Sequence, residues 1–325
     1  MIDSPEVSVV IPTRNRWQLL SRTALRSALA QEAVEHEVVV VDDGSTDETT
    51  ERLAELAEPR LRVVRLEERR GVATARNAGI AVARGEWVAF LDDDDLWSPL
   101  KLRTQLDVAS AAHAAFVYAG VVSVDEAGAV QYEFPLPDPA ELPSRLLAAS
   151  VLPAGCSNVL ARADLVRALG GFDEQLFQLS DWDLWIRLAW AGSASVCEEV
   201  LVGYLEHSEN MLLSDPRDVT PEFTYLETKH RALRKEHGIE LDRRAFSHWV
   251  AWGHLRRKRR IGAARVFLRS GIDNRRIGDV VLAAAFAIRA AVPLSSARRA
   301  LQSLVRSDPS LSVPLVEPGW LELYR

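Results

Sequence analysis

The chain has 325 residues, 48% of them hydrophobic and 26% charged, a composition that excludes wholesale disorder. Its 39 Lys and Arg against 46 Asp and Glu leave a formal net charge of −7, the wrong sign for a general nucleic-acid binder. A chain of this length accommodates one large α/β domain and a smaller appendage.

Two cysteines, Cys156 and Cys197, have neither metal-ligand spacing nor the density of a disulfide scaffold, so a reduced, cytoplasmic setting is expected. Met1 to Glu6 contains no basic n-region and no apolar h-region, and no secretory signal is expected. The longest apolar run, Val280 to Ile288, stops at Arg289, well short of the ~20 residues a membrane-spanning helix needs. The expectation is a soluble protein, or one attached to a membrane surface, in the cytoplasm or at the inner face of the cell membrane.

In chain order, Val7 to Ile11 is a β-branched run broken by Pro12-Thr13-Arg14-Asn15. Leu19, Leu20, Ala24, Ala28 and Leu29 then recur at helical spacing. Val38 to Val41 predicts a second buried strand, followed by Asp42-Asp43-Gly44-Ser45; Ser45 and Glu48 have capping-box spacing and predict a helix start. Leu61 to Leu66 predicts a third strand, Val72 to Ala83 a helix, and Trp87 to Leu91 a fourth strand running into Asp92-Asp93-Asp94-Asp95. This alternation predicts an α/β fold with a mainly parallel, Rossmann-like sheet covered by helices, whose ligands bind beyond the carboxyl ends of the strands.

Further on, Ala115 to Val124 predicts a strand, Pro135 to Pro143 a loop and Leu184 to Trp190 a helix. After about Pro216 strand signals give way to helical segments with basic clusters such as Arg256 to Arg260. The expected division is a catalytic domain over residues 1–215 and a helical C-terminal region over 216–325. The helical region reads either as a packed cap or as a surface that touches anionic lipid.

Four successive aspartates at a strand end repel one another unless a cation compensates them. Hard divalent ions favour such carboxylate oxygens and share them with substrate phosphates. Asp42 and Asp43 could accept hydrogen bonds from a base or ribose, with Gly44 permitting the tight turn. Asn15 reads as a helix cap or a neighbour of the base pocket. Arg76 reads by default as part of a solvated helix face. Asp181 stands at a helix start, as a cap or as a general base, while Trp182, Trp185, Ile186 and Ala189 share a core face. His207 reads as an ordinary histidine or a third metal ligand.

Five segments, in order, resemble the family 2 glycosyltransferases of GT-A fold over about residues 6–210. They are Val9-Val10-Ile11-Pro12-Thr13-Arg14-Asn15-Arg16, Val41-Asp42-Asp43-Gly44-Ser45, Ala75-Arg76-Asn77-Ala78-Gly79, Phe90-Leu91-Asp92-Asp93-Asp94-Asp95, and Gly170-Gly171-Phe172-Asp173-Glu174 leading to Asp181-Trp182-Asp183-Leu184-Trp185. The resemblance implies an inverting transfer of a sugar from a nucleotide-diphosphate donor to a glycan or lipid-linked acceptor, in cell-envelope or exopolysaccharide assembly. It implies a nucleotide pocket of Pro12, Thr13, Asn15, Asp42, Asp43, Arg76, Asp92 and Asp93. It also implies Mn²⁺ or Mg²⁺ on Asp92, Asp94 and His207, and Asp181 as the base. Many relatives carry Glu immediately before that Asp, where this chain has Ser180. A nucleotidyltransferase would instead carry a Gly-rich basic loop after the first strand, and a degenerate binding module would lack the Asp-x-Asp or the base.

Overall fold

The computed structural model describes residues 5–207, 218–256, 258–288 and 317–324. They fall into two compact units, residues 5–207 with 218–239 and 317–324 in the first and 240–288 in the second. The expected division at 215/216 falls in a stretch outside the described residues, and the helices just after it belong to the first unit.

The first unit is built on β1 (Val7–Thr13), β2 (His36–Asp43), β3 (Leu61–Leu66) and β4 (Trp87–Phe90). These run parallel in the order β3-β2-β1-β4. Every residue of β1 and β2 is buried, as their β-branched stretches Val9 to Ile11 and Val38 to Val41 require when helices cover both sheet faces. The chain reaches β2 through α1 (Trp17–Arg22) and α2 (Ala24–Leu29), β3 through α3 (Thr49–Glu55), and β4 through α4 (Val72–Val82). The single helix expected over Leu19 to Leu29 is divided at Thr23, whose hydroxyl donates to the carbonyls of Leu19 and Asp93 (2.6 and 3.0 Å). That break ties the helix pair to the acidic loop.

The rest of the sheet is mixed. Beyond β4 lie β8 (Leu160–Arg162), β6 (Phe116–Asp125), β9 (Ala194–Glu206) and β5 (Leu96–Trp97), with β7 (Val130–Glu133) paired to β6. Antiparallel β8 joins the parallel half, and the long β6–β9 ladder is parallel again. Helices α5 (Lys101–Ala112), α6 (Leu142–Ala148), α7 (Ala163–Ala168) and α8 (Ser180–Ala191) complete this part, followed by α9 (Thr220–Lys229) and α10 (Arg231–His237). Gly319–Tyr324 returns to the same unit as a 3-10 turn. There Leu321 is buried among Leu19, Leu96, Val122, Val124 and Leu205, and Trp320 donates to the Val200 carbonyl at 2.9 Å.

The second unit packs α11 (Arg243–Arg256), α12 (Arg260–Asp273) and α13 (Ile277–Ile288) around Ala251, Leu255, Ala263, Phe267 and Ala283. Fully buried Asp279 pins the three helices. It receives Arg244 at 2.9 and 3.1 Å and the Ser270 hydroxyl at 2.8 Å, and His248 lies 3.0 Å away.

Candidate active site

The sequence-predicted residues converge at the carboxyl ends of β1, β2 and β4. The register sets Thr13 of β1 beside Asp42 of β2, and Phe90 of β4 beside Val10 of β1, so the segment after Phe90 emerges next to the β1 turn. Pro12 is buried in β1 opposite Val41.

Gly44, at φ +66°, makes the turn after β2, and a Cβ there would lie 2.7 Å from the Glu68 backbone. Asp42 is wholly buried. It accepts the Ser45 N–H at 2.9 Å and the Thr50 hydroxyl at 2.5 Å, so it stitches its own turn. Asp43 accepts the N–H groups of Arg70 and Gly71 at 2.6 and 2.9 Å, holding the loop before α4 against β2. The expected Ser45–Glu48 capping box does not form. The Asp47 carboxylate accepts the Thr49 N–H instead (3.0 Å), because Ser45 is engaged by the N–H of Asn15 (2.9 Å). Asn15 is exposed at φ +53° and takes the Thr46 N–H on its amide oxygen (2.7 Å); it joins two turns rather than capping a helix.

Each aspartate of the acidic run has its own partner. Asp92 is bound by Arg76 at 2.5 Å. Asp93 accepts the Thr13 hydroxyl at 2.8 Å and Arg16 at 2.9 Å. Asp94 receives the same Arg16 at 3.1 Å, and its Oδ2 lies 2.9 Å from His207 Nε2. Asp95 accepts the Ser157 hydroxyl at 2.5 Å and the Leu205 N–H at 3.1 Å. Two arginines and these hydrogen bonds therefore supply much of the compensation such a cluster needs.

The local environments separate the four groups. Burial, opposed by Arg16, pushes Asp93 up to about 6. Asp94 is also buried, but the His207 contact and the Arg16 charge outweigh burial and hold it below the usual range. Burial and the charges of Asp94 and Asp92 push Asp95 well up. Arg76, by default part of a solvated helix face and by resemblance part of the nucleotide pocket, is 4% exposed. It lies over the Phe172 ring at 5.2 Å with its guanidinium committed to Asp92.

Asp181 stands in the first turn of α8, half-buried, and accepts the N–H of Trp182 at 2.7 Å. Burial raises its pKa, with the Arg76 charge opposing. The 3-10 turn Gly155–Asn158 closes over it: Gly155 has φ +46°, and a Cβ there would lie 2.6 Å from Asp181 Oδ2. Asp181 and Asp92, whose side chain is 32% exposed, lie within electrostatic reach of Arg76 and of each other. The expected core face of α8 is buried throughout.

Asp92, Asp94 and His207 are not gathered at one point, and among the described residues no group of three His, Cys, Asp or Glu side chains is placed to hold a metal. Asp92 is paired with Arg76, while Asp94 meets His207. That pair alone, one carboxylate and one imidazole, has the donor chemistry for Mn²⁺ or Mg²⁺ completed by phosphate and water oxygens.

Four contributors were not singled out in the sequence. Arg16 lies in the first motif but carried no role of its own. Ser157 joins the acidic run to the 3-10 turn, donating to Asp95 and accepting the Asp92 N–H at 3.0 Å. Gly155 gives Asp181 its space. Glu222 of α9 uses one carboxylate oxygen to accept the N–H groups of Phe177, Gln178 and Leu179 at 3.0, 2.8 and 3.1 Å. It supports, from 43 to 45 residues downstream, the turn that ends one residue before Ser180.

Comparison with known proteins matches residues 8–167 to the model of glycosyl transferase family 2. The chain is 41% identical over 160 residues to the succinoglycan biosynthesis protein ExoO of Rhizobium meliloti, covering 49% of this chain and 44% of that protein. It is 32% identical over 117 residues to an Escherichia coli protein, UDP-Glc:alpha-D-GlcNAc-diphosphoundecaprenol beta-1,3-glucosyltransferase WfgD, covering 36% of this chain and 46% of that one. The chain thus spans less than half the length of these two relatives. The crystal structure of S. aureus TarS 1-349 in complex with UDP-GlcNAc has the same fold, with a TM-score of 0.53 at 19% identity over 84% of this chain and 89% of that one. With its α/β sheet, its flanking helices and its matched sequence, the chain carries a glycosyl transferase family 2 domain of GT-A type over residues 8–167.

Proposed function

We propose that the protein is an inverting glycosyltransferase that moves a sugar from a nucleotide diphosphate to a hydroxyl of a glycan or lipid-linked acceptor in cell-envelope or exopolysaccharide assembly. The carrying observation is the placement of Asp181, half-buried, with a raised pKa, within reach of the Arg76–Asp92 pair at the carboxyl edge of the sheet. The two relatives, one named for succinoglycan biosynthesis and one for a diphosphoundecaprenol-linked acceptor, support the setting.

In this reading Asp181 takes the proton of the acceptor hydroxyl as its oxygen attacks the anomeric carbon from the face opposite the nucleotide. Carboxylates flanking Arg76 let that cation orient the donor without neutralising the base. Asp43 is favoured over Asp42 for the nucleobase, because wholly buried Asp42 has no surface to offer a ligand. Pro12, Thr13 and Asn15 would shape the same pocket, with Asp92 and Asp93 toward the ribose. Asp94 and His207 would hold a divalent ion together with the diphosphate, and such an ion would supply positive charge against that developing on the leaving group. Anchoring at the inner membrane face would place the site beside a lipid-linked acceptor.

The direct test is the anomeric configuration of the first product, followed by NMR with an α-linked UDP-sugar. A β-linked product supports direct displacement; retention of configuration would remove Asp181 from the role of base.

A further inference from the structure

The second unit has a surface that its core does not use. Ten large hydrophobic residues are exposed among the described residues, and six of them, Ile261, Leu268, Ile272, Ile277, Val280 and Val281, lie within 21 residues of one another. Ile261, Leu268 and Ile272 are spaced i, i+7, i+11 on α12 and share one stripe, 65, 44 and 64% exposed, with exposed Arg265 within it. Ile277 and Val281, at i and i+4, begin an equivalent stripe on α13, 81 and 61% exposed. Between the helices the turn presents Arg275 and Arg276, both exposed and flanked by Ile272 and Ile277.

Charge follows the same boundary. Residues 240–288 contain eleven Lys and Arg and four Asp and Glu, a balance of +7, leaving 28 basic against 42 acidic residues in the rest of the chain. Of the basic cluster at 256–260, Arg257 lies outside the described residues, as do the last residues of the apolar stripe near 280–292.

We propose that the α12–α13 hairpin seats this protein on an anionic lipid surface, its Ile and Val side chains entering the acyl boundary and Arg265, Arg275 and Arg276 meeting the headgroups. Apolar side chains interleaved with arginine are the chemistry of an interfacial helix pair. A nucleic-acid surface would have no use for five exposed isoleucines and valines beside its cations. No described helix is long and apolar enough to cross a membrane, so this surface is a peripheral one. The purpose, delivery of the catalytic unit to a lipid-linked acceptor, rests on the transferase reading; the surface itself does not.

The test is co-sedimentation of the full chain with phosphatidylcholine vesicles, with and without phosphatidylglycerol, alongside the variants I272S/I277S and R275Q/R276Q. Binding is expected only with phosphatidylglycerol, weakened about tenfold or more by either variant, the arginine pair in proportion to its two charges. UDP binding and near-UV circular dichroism of both variants should match the parent, which separates failure of this surface from failure of the nucleotide site. The proposal is overturned by no sedimentation with anionic vesicles, or by sedimentation undiminished in I272S/I277S. Binding of duplex DNA that outcompetes the vesicles would also overturn it, as would a self-associated form that I272S/I277S abolishes without any vesicle binding. The first of these would reassign the face to nucleic acid, the second to another copy of the chain.

Discussion

Asp181 combines two demands that oppose each other. In the proposed role of base it must be ionised, yet burial raises its pKa and makes the ionised form costly, with Arg76 only partly offsetting that. The acid limb of kcat/KM should therefore fall at a pH above the ~3.9 of an ordinary aspartate. Asp181→Asn should reduce transfer by about 10²–10⁴-fold while nucleotide affinity stays within about twofold of the parent. The sign for stability is opposite to that for activity. An acid whose folded pKa is raised destabilises the fold as pH climbs through its unfolded and then its folded pKa, so at neutral pH the Asn variant should melt higher. A lower melting temperature together with lost UDP binding would show a structural rather than a catalytic residue. Much of this was legible locally, because Asp42, Asp43, Asp92 and Asp181 each follow a readable strand end or open a readable helix. The pairings were not: the local sequence leaves Arg76 on a solvated face of α4, the resemblance adds it to the nucleotide pocket, and only the fold gives it Asp92 as its partner.

Helix α9 shows how an element outside the matched family segment acts on the site. Its Glu222 gathers three backbone N–H groups at the turn leading into α8, although the position before Asp181 is Ser180 rather than the Glu of many relatives. Losing even one such charge-assisted bond is worth about 1.5–3 kcal/mol. Glu222→Ala should lower kcat with little change in KM for the donor, and Glu222→Gln should recover part of it through the remaining amide oxygen. Equal losses in kcat and in nucleotide affinity would mark a merely structural support. At the other face of α8, Asp183 is wholly buried and held below the ordinary carboxylate range: burial raises it, but His230 at 2.8 Å, Arg187 at 2.9 Å and Lys229 at 2.8 Å outweigh burial. That stability is present above an unfolded pKa of ~3.9 and drains away as pH falls through the lower folded value. Asp183→Asn, read by urea unfolding at neutral pH, should cost about 1.5–3 kcal/mol, since it removes the charge from the hydrogen bonds of His230 and Arg187 to a wholly buried carboxylate. Strand β9 is the element least legible in the sequence. Strands β1 to β4 announce themselves as apolar runs. In contrast, β9 carries Glu198 and Glu199 in its middle, where the ladder with β6 shifts register, and so breaks the pattern a reader looks for.

For the whole molecule, the family match stops at residue 167, while the residues that complete the site continue to His207 and Glu222. The linear boundary expected near residue 215 could not anticipate that 218–239 and 317–324 return to the first unit, because those contacts are set by single residues such as Glu222 and Trp320 rather than by any periodic signal. The charge is likewise divided between a first unit that is acidic and a helical unit that is basic. Raising salt should therefore weaken association with anionic vesicles far more than nucleotide binding, because exposed charges are screened and partly buried pairs such as Arg76–Asp92 less so. The claim on which the rest depends is that this edge of the sheet binds a nucleotide diphosphate. Calorimetric titration of the full chain with UDP, GDP and dTDP, each with and without Mn²⁺, tests it most directly. Binding of one of the three, tightened by Mn²⁺ and preserved in Asp181→Asn, is the expected result; no binding of any of them under either condition would contradict it.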